Sequence, residues 1–175
     1  MKKTILSILI ATTLALSAQA ESLVVYFSWG GTTESMAKMI QKSTDADIWK
    51  IEPEKAYPTS YKPCTEVVKE ELNKGIIRKV KGKAPDFSKY DTIFVGVPVW
   101  WHTAPTLVTN FLEEHKAELS GKTVVSFCTY AATYRDETLS ALTQATPTAK
   151  HKDGYGTKNP RQSDVDAWLK KIGEA

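Results

Sequence analysis

Three stretches of the chain are continuously apolar and rich in β-branched residues: "SLVVYFS" from Ser22, "DTIFVGVPVW" from Asp91 and "KTVVSFCTY" from Lys122. Such runs predict strands buried on both faces of a parallel sheet. "ADIWKIE" (46–52) alternates instead, which suits a strand nearer a sheet edge. Between these runs the period changes to that of a helix. Met36, Met39 and Ile40 fall on one face of a helix over Glu34–Lys42, and Pro105 opens a helix carrying Leu107, Val108, Phe111 and Leu112. A weaker helix is predicted over Thr138–Leu142, and a last one in "SDVDAWLKKIG", with Ser163 as cap and Gly173 as stop. A fifth strand is expected within the polar stretch Thr148–Lys152. This alternation predicts an α/β domain built on a doubly wound, five-stranded parallel sheet. Val24, Val25, Ile93, Val95, Val124 and Val125 are its expected core.

The first residues follow another pattern. Lys2 and Lys3 precede an uncharged run from Thr4 to Leu16, and small residues stand at Ala18 and Ala20. That is the layout of a secretory signal peptide cut after Ala20, and the run falls short of the ~20 apolar residues a bilayer span needs. The expected product is a single domain over residues 21–175, exported to the periplasm or secreted, with no membrane anchor after cleavage. Loss of Lys2 and Lys3 takes the formal net charge from +3 to +1. A near-neutral surface gives no reason to expect a nucleic-acid partner. The two cysteines, Cys64 and Cys128, would then enter an oxidising compartment. Three fates stay open for them: a structural disulfide worth up to ~4 kcal/mol in the chain-entropy picture, two unpaired thiols, or a redox pair. Two thiols far apart in sequence are not a metal site.

In a doubly wound sheet, ligands bind beyond the carboxyl ends of the strands where strand order reverses. Three loops meet there: Ser28–Thr33, Pro98–Ala104 and Thr129–Thr133. The first joins Gly30 and Gly31 to the hydroxyls of Ser28, Thr32 and Thr33 ahead of a helix, the composition of an anion seat built from backbone amides. It lacks the Lys-Ser/Thr of a P-loop, and its adjacent glycines break the G-x-G-x-x-G spacing. The second, "GVPVWWHTAP", places Trp100 and Trp101 at a strand end as flat apolar surface. A phosphate seat beside an aromatic platform describes a phosphorylated planar heterocycle. The bland alternatives are a tight turn for the glycines and core packing for an indole.

"YFSWGGTTE" resembles the phosphate loop of flavodoxins and related FMN proteins, with Ser28, Gly31, Thr33 and Glu34 in register and Trp29, Gly30 and Thr32 departing. "YPTSY" is similar to a tyrosine-proline segment of short flavodoxin-like proteins, and "GVPVWWHTAPTLVTNFL" to their flavin loop. The resemblance extends over "GKTVVSFCTY" and so covers most of residues 21–175. It implies a flavodoxin-like sheet of order 2-1-3-4-5 and FMN as cofactor. The cofactor would be held by Ser28, Trp29, Gly30, Gly31, Thr32 and Thr33, with the ring between Pro98, Val99, Trp100 and Trp101 on one side and Thr129 and Tyr130 on the other. No catalytic side chain is implied, since the chemistry would be the flavin's. His102 beside the ring could hold a proton or a charge. His115 and His151 have no motif around them.

Three functions compete at this point. One is an FMN oxidoreductase or electron carrier outside the cytoplasm, fed by a membrane quinone system or another exported redox protein. Another is an exported flavodoxin-like binding module that has lost FMN. The last is a hydrolase on the same fold, which ranks lowest because no Ser-His-Asp or metal cluster stands out.

Overall fold

The computed structural model describes residues 21–175. The leader expected over residues 1–20 lies outside the described residues. Among those described, no helix is long and apolar enough to cross a membrane.

The elements run β1 (Ser22–Tyr26), α1 (Thr32–Thr44), β2 (Asp47–Lys50), α2 (Tyr61–Lys74), β3 (Thr92–Pro98), α3 (Thr106–Glu114), α4 (Lys116–Leu119), β4 (Thr123–Thr129), α5 (Arg135–Gln144), β5 (Lys150–His151), β6 (Tyr155–Thr157) and α6 (Gln162–Ile172). Every pairing between these strands is parallel, in the order β2-β1-β3-β4-β5, with β6 also on β4. The expected order is therefore the observed one. The fifth strand, however, is two short pieces. Thr123 pairs with Lys150 and Phe127 with Tyr155, so the edge carries one residue more than β4 between those pairs, a bulge that interrupts the strand. The break falls at Lys152–Gly154, where polar residues bring no apolar side chain to hold the edge flat.

Alternation along the central strands divides the core. Leu23, Val25 and Phe27 face one layer with Ile93, Val95, Val124 and Cys128, covered by Cys64 and Val68 of α2, Leu107 and Phe111 of α3 and Leu142 of α5. Val24, Tyr26, Phe94, Val125 and Phe127 face the other, covered by Met36 and Ile40 of α1 and Val165, Trp168 and Leu169 of α6. All six residues expected in the core are fully buried. Gly96 lets the sheet close around Phe127, because a Cβ there would stand 2.0 Å from the ring. Gly173 ends α6 in the left-handed region, but Ser163 lies inside the first turn of that helix and Arg161 takes the cap position.

Candidate functional site: an amide seat beside an aromatic cavity

The loop after β1 turns through Gly31, at φ 88°. Its amide donates to Ser28 Oγ at 3.1 Å, and its carbonyl accepts from the Ser35 amide at 2.9 Å, the first closed turn of α1. The amides of Thr32, Thr33 and Glu34 precede that bond and have no intrahelical acceptor. Among the described residues, no side chain caps the helix. They point with the positive end of a 13-residue helix dipole. Thr32 is exposed, whereas Thr33 is 1% exposed and its hydroxyl lies 2.7 Å from that of Thr129. Two of the three hydroxyls counted on from sequence, those of Ser28 and Thr33, are thus engaged within the fold. Glu34 would oppose an anion here, but its carboxylate is held by Lys38 at 2.7 Å and Lys50 at 3.0 Å. Those hydrogen bonds, Lys38's first, keep its carboxyl below the usual carboxylate range.

The loop after β3 is a two-residue hairpin. Trp100 and Thr103 exchange both backbone hydrogen bonds, at 2.9 and 3.0 Å, across Trp101 and His102. Both turn residues are left-handed, at φ 47° and 69°. Such turns favour Asn-Gly, and each non-glycine residue there costs roughly 1–2 kcal/mol. Tyr134, in the loop before α5, is also left-handed, at φ 68°, and its ring stacks on that of His102 at 3.9 Å between centroids. Three strained residues therefore meet at one mouth, the kind of clustering that marks functional sites.

Behind that mouth is a cavity of about 430 Å³. Trp29, Val99, Trp100, Trp101 and His102 form one wall, Tyr61, Cys64, Thr65 and Val68 of α2 a second, and Ala131–Tyr134 a third. Among the described residues, no Asp, Glu, Lys or Arg lines it. Trp100 is met edge-on by Tyr57 at 4.9 Å and Phe27 at 5.2 Å, with Trp29 at 6.4 Å. Trp29 is anchored by its indole N–H to Pro58 O at 2.9 Å. Trp101 donates to Thr65 O at 3.1 Å, tying the hairpin to α2.

Of the residues singled out from sequence, Trp29, Val99, Trp100 and Trp101 line the cavity, and Ser28 and Gly30–Thr33 lie in the turn into α1 that adjoins Trp29, where the Thr32 and Thr33 amides have no intrahelical acceptor. Pro98 and Thr129 pair in the sheet beneath, and Tyr130 packs on the core without lining the cavity. The sequence reading missed the α2 wall. Its available signals were the Glu70–Lys74 pair four residues apart and Gly75 as a left-handed stop.

The disulfide considered for Cys64 and Cys128 is absent, and both are buried free thiols. Cys64 sits in the cavity wall. Cys128 is enclosed under the sheet edge, its sulfur 2.8 Å from where a Cβ on Gly156 would stand. Burial, and then the Glu71 carboxylate, push the Cys64 thiol up; burial pushes that of Cys128 up to about 12. Neither is a thiolate nucleophile at neutral pH.

The chain belongs to the flavodoxin family, whose family model, described as Flavodoxin, matches residues 21–172. Among solved structures, one described as a flavoprotein of Bacteroides eggerthii is similar at 27% identity and TM-score 0.76, over 89% of this chain and 99% of that one. Another, of Bacteroides uniformis, is 26% identical with TM-score 0.73, over 86% and 98%. A flavoprotein of Lactobacillus acidophilus, solved in complex with FMN, shares the fold at 22% identity and TM-score 0.71, over 86% and 99%. No curated protein matches the sequence.

Proposed function

We propose that this protein binds FMN and serves as a redox protein, an oxidoreductase or electron carrier acting outside the cytoplasm. The observation that carries the reading is one juxtaposition: uncapped amides at the start of α1 beside an apolar, aromatic-walled cavity that no charged side chain among the described residues lines. The residues present fit the group. A phosphate would be held by the amides of Thr32, Thr33 and Glu34 with the Thr32 hydroxyl, because converging dipoles can hold a dianion without a lysine. A planar ring would be received by Trp29, Trp100 and Trp101, with Tyr134 and His102 at the mouth. When bound, FMN supplies redox chemistry at its ring.

The chain's own part is positional. Trp100 presents a fixed apolar surface, the hairpin and Tyr134 frame the mouth, and His102 is placed there to hold a proton or a charge. A membrane quinone system or an exported redox protein is the proposed partner, which follows from the signal-peptide pattern of residues 1–20. Titrating the purified domain with FMN and then recording its midpoint potential tests the reading. A protein that binds no FMN would instead be a flavodoxin-like module for another planar ligand.

A further inference from the structure

Trp100 is held by a polar unit the cavity does not itself contain. Glu71 lies on α2, three residues beyond Val68 of the cavity wall, yet it is 4% exposed. Arg78 Nε donates to Glu71 Oε1 at 2.8 Å, Arg78 Nη2 donates to the same oxygen, and Tyr57 O–H donates to Oε2 at 3.0 Å. The guanidinium also covers the Tyr57 ring, 4.1 Å from its centroid, and Nη1 donates to Lys55 O. Three separate segments converge: the loop after β2, α2, and the connection after α2. That connection is fixed by backbone bonds from Glu54 N to Lys79 O at 2.8 Å and from Lys81 N to Glu52 O at 2.7 Å.

A buried ion pair is a poor device for stability alone, since well-packed apolar side chains often serve as well or better. What it supplies is direction. With its hydroxyl on Glu71 and its face under Arg78, Tyr57 has one ring plane available, and that plane meets Trp100 at 90°. Phe27 meets Trp100 at 87°, so two near-perpendicular rings leave the indole little rotation.

We propose that Arg78, Glu71 and Tyr57 are positioning residues that set the plane of Trp100 and so preorganise the ring-binding wall of the cavity. This rests on the reading of the cavity as a ring site. A preset wall avoids the cost of ordering a side chain on binding.

The test uses Tyr57→Phe, Arg78→Lys and the paired apolar replacement Glu71→Leu with Arg78→Met, in the full domain. Two readouts are needed. In ligand-free protein, each variant should lose the near-ultraviolet circular dichroism component that Trp100→Phe also removes, with far-ultraviolet signal unchanged. In titrations, FMN and riboflavin should weaken by the same factor, roughly three- to tenfold, as expected for a lost hydrogen bond acting through the ring wall. The paired replacement should remain folded and still lack the component. Retention of that component in Tyr57→Phe, with only the melting temperature lowered, would overturn the proposal and leave a structural ion pair. If the parent protein bound neither flavin, the proposed function would fall, while the ligand-free spectra would still decide the positioning role.

Discussion

Thr33 Oγ1 and Thr129 Oγ1 lie 2.7 Å apart, both buried, and join the first turn of α1 to the last residue of β4. This contact latches the first turn of α1, where the phosphate seat is proposed, to the strand that carries the third loop. Thr33→Val should therefore act first on the fold, leaving the Thr129 hydroxyl unpaired at a cost of about 1–3 kcal/mol. Urea unfolding checks this, and the double change Thr33→Val with Thr129→Val should recover most of the loss.

The two adjacent glycines should respond differently. A Cβ meets nothing within 4 Å at either position, but Gly31 alone has a positive φ. Gly31→Ala should cost roughly 1–2 kcal/mol in stability through backbone strain and weaken FMN by shifting the amides. Gly30→Ala should leave both nearly unchanged. Unfolding and titration of the pair separate strain from space.

Both thiols should be closed to reagents in the folded protein. Ellman's reagent at pH 8 should report almost no thiol before denaturation and two after it, whether or not the protein has passed through an oxidising compartment. The raised pKa of Cys128, about 12, together with Tyr26 and Tyr90 raised to about 12, predicts an alkaline limit. In each case the unfolded chain releases the proton first. Stability is thus intact below pH 9 and falls as pH rises toward 12. Melting temperature against pH should show this decline, and Cys128→Ala should flatten its first part, between pH 9 and 10.

Apolar walls disfavour charge on a bound ring, so opening them should raise its potential. Trp100→Ala should raise the midpoint potential of bound FMN more than Trp101→Ala does, because Trp101 is already 41% exposed. Spectroelectrochemical titration of the two variants makes the comparison.

The central sheet was legible because β1, β3 and β4 are buried on both faces, and burial on both faces leaves an uninterrupted apolar run. α2 was not, since Glu71 occupies a position on its buried face where the helical pattern calls for an apolar residue, and its bonds from Arg78 and Tyr57 make that burial possible. The edge strand was not legible as a single element because a bulge splits it and Tyr155 alone among its residues packs on the core, which leaves no periodic signature. Within the site, sequence placed Trp100 and Trp101 correctly beside the strand end. It could not show that Thr33 turns inward, since that depends on Thr129, distant in the chain. Nor does Trp101-His102 carry the Asn-Gly signature of the left-handed turn it forms.

The central claim is that an amide seat and an aromatic cavity together select a phosphorylated planar ring, and parallel titration of the ligand-free domain with FMN and riboflavin tests it most directly. Charge-assisted hydrogen bonds contribute about 1.5–3 kcal/mol each, so FMN should bind at micromolar concentration or tighter and riboflavin at least tenfold more weakly. Equal affinity for the two would contradict the phosphate seat, and no binding of either at micromolar concentration would contradict the assignment of the cavity to a flavin.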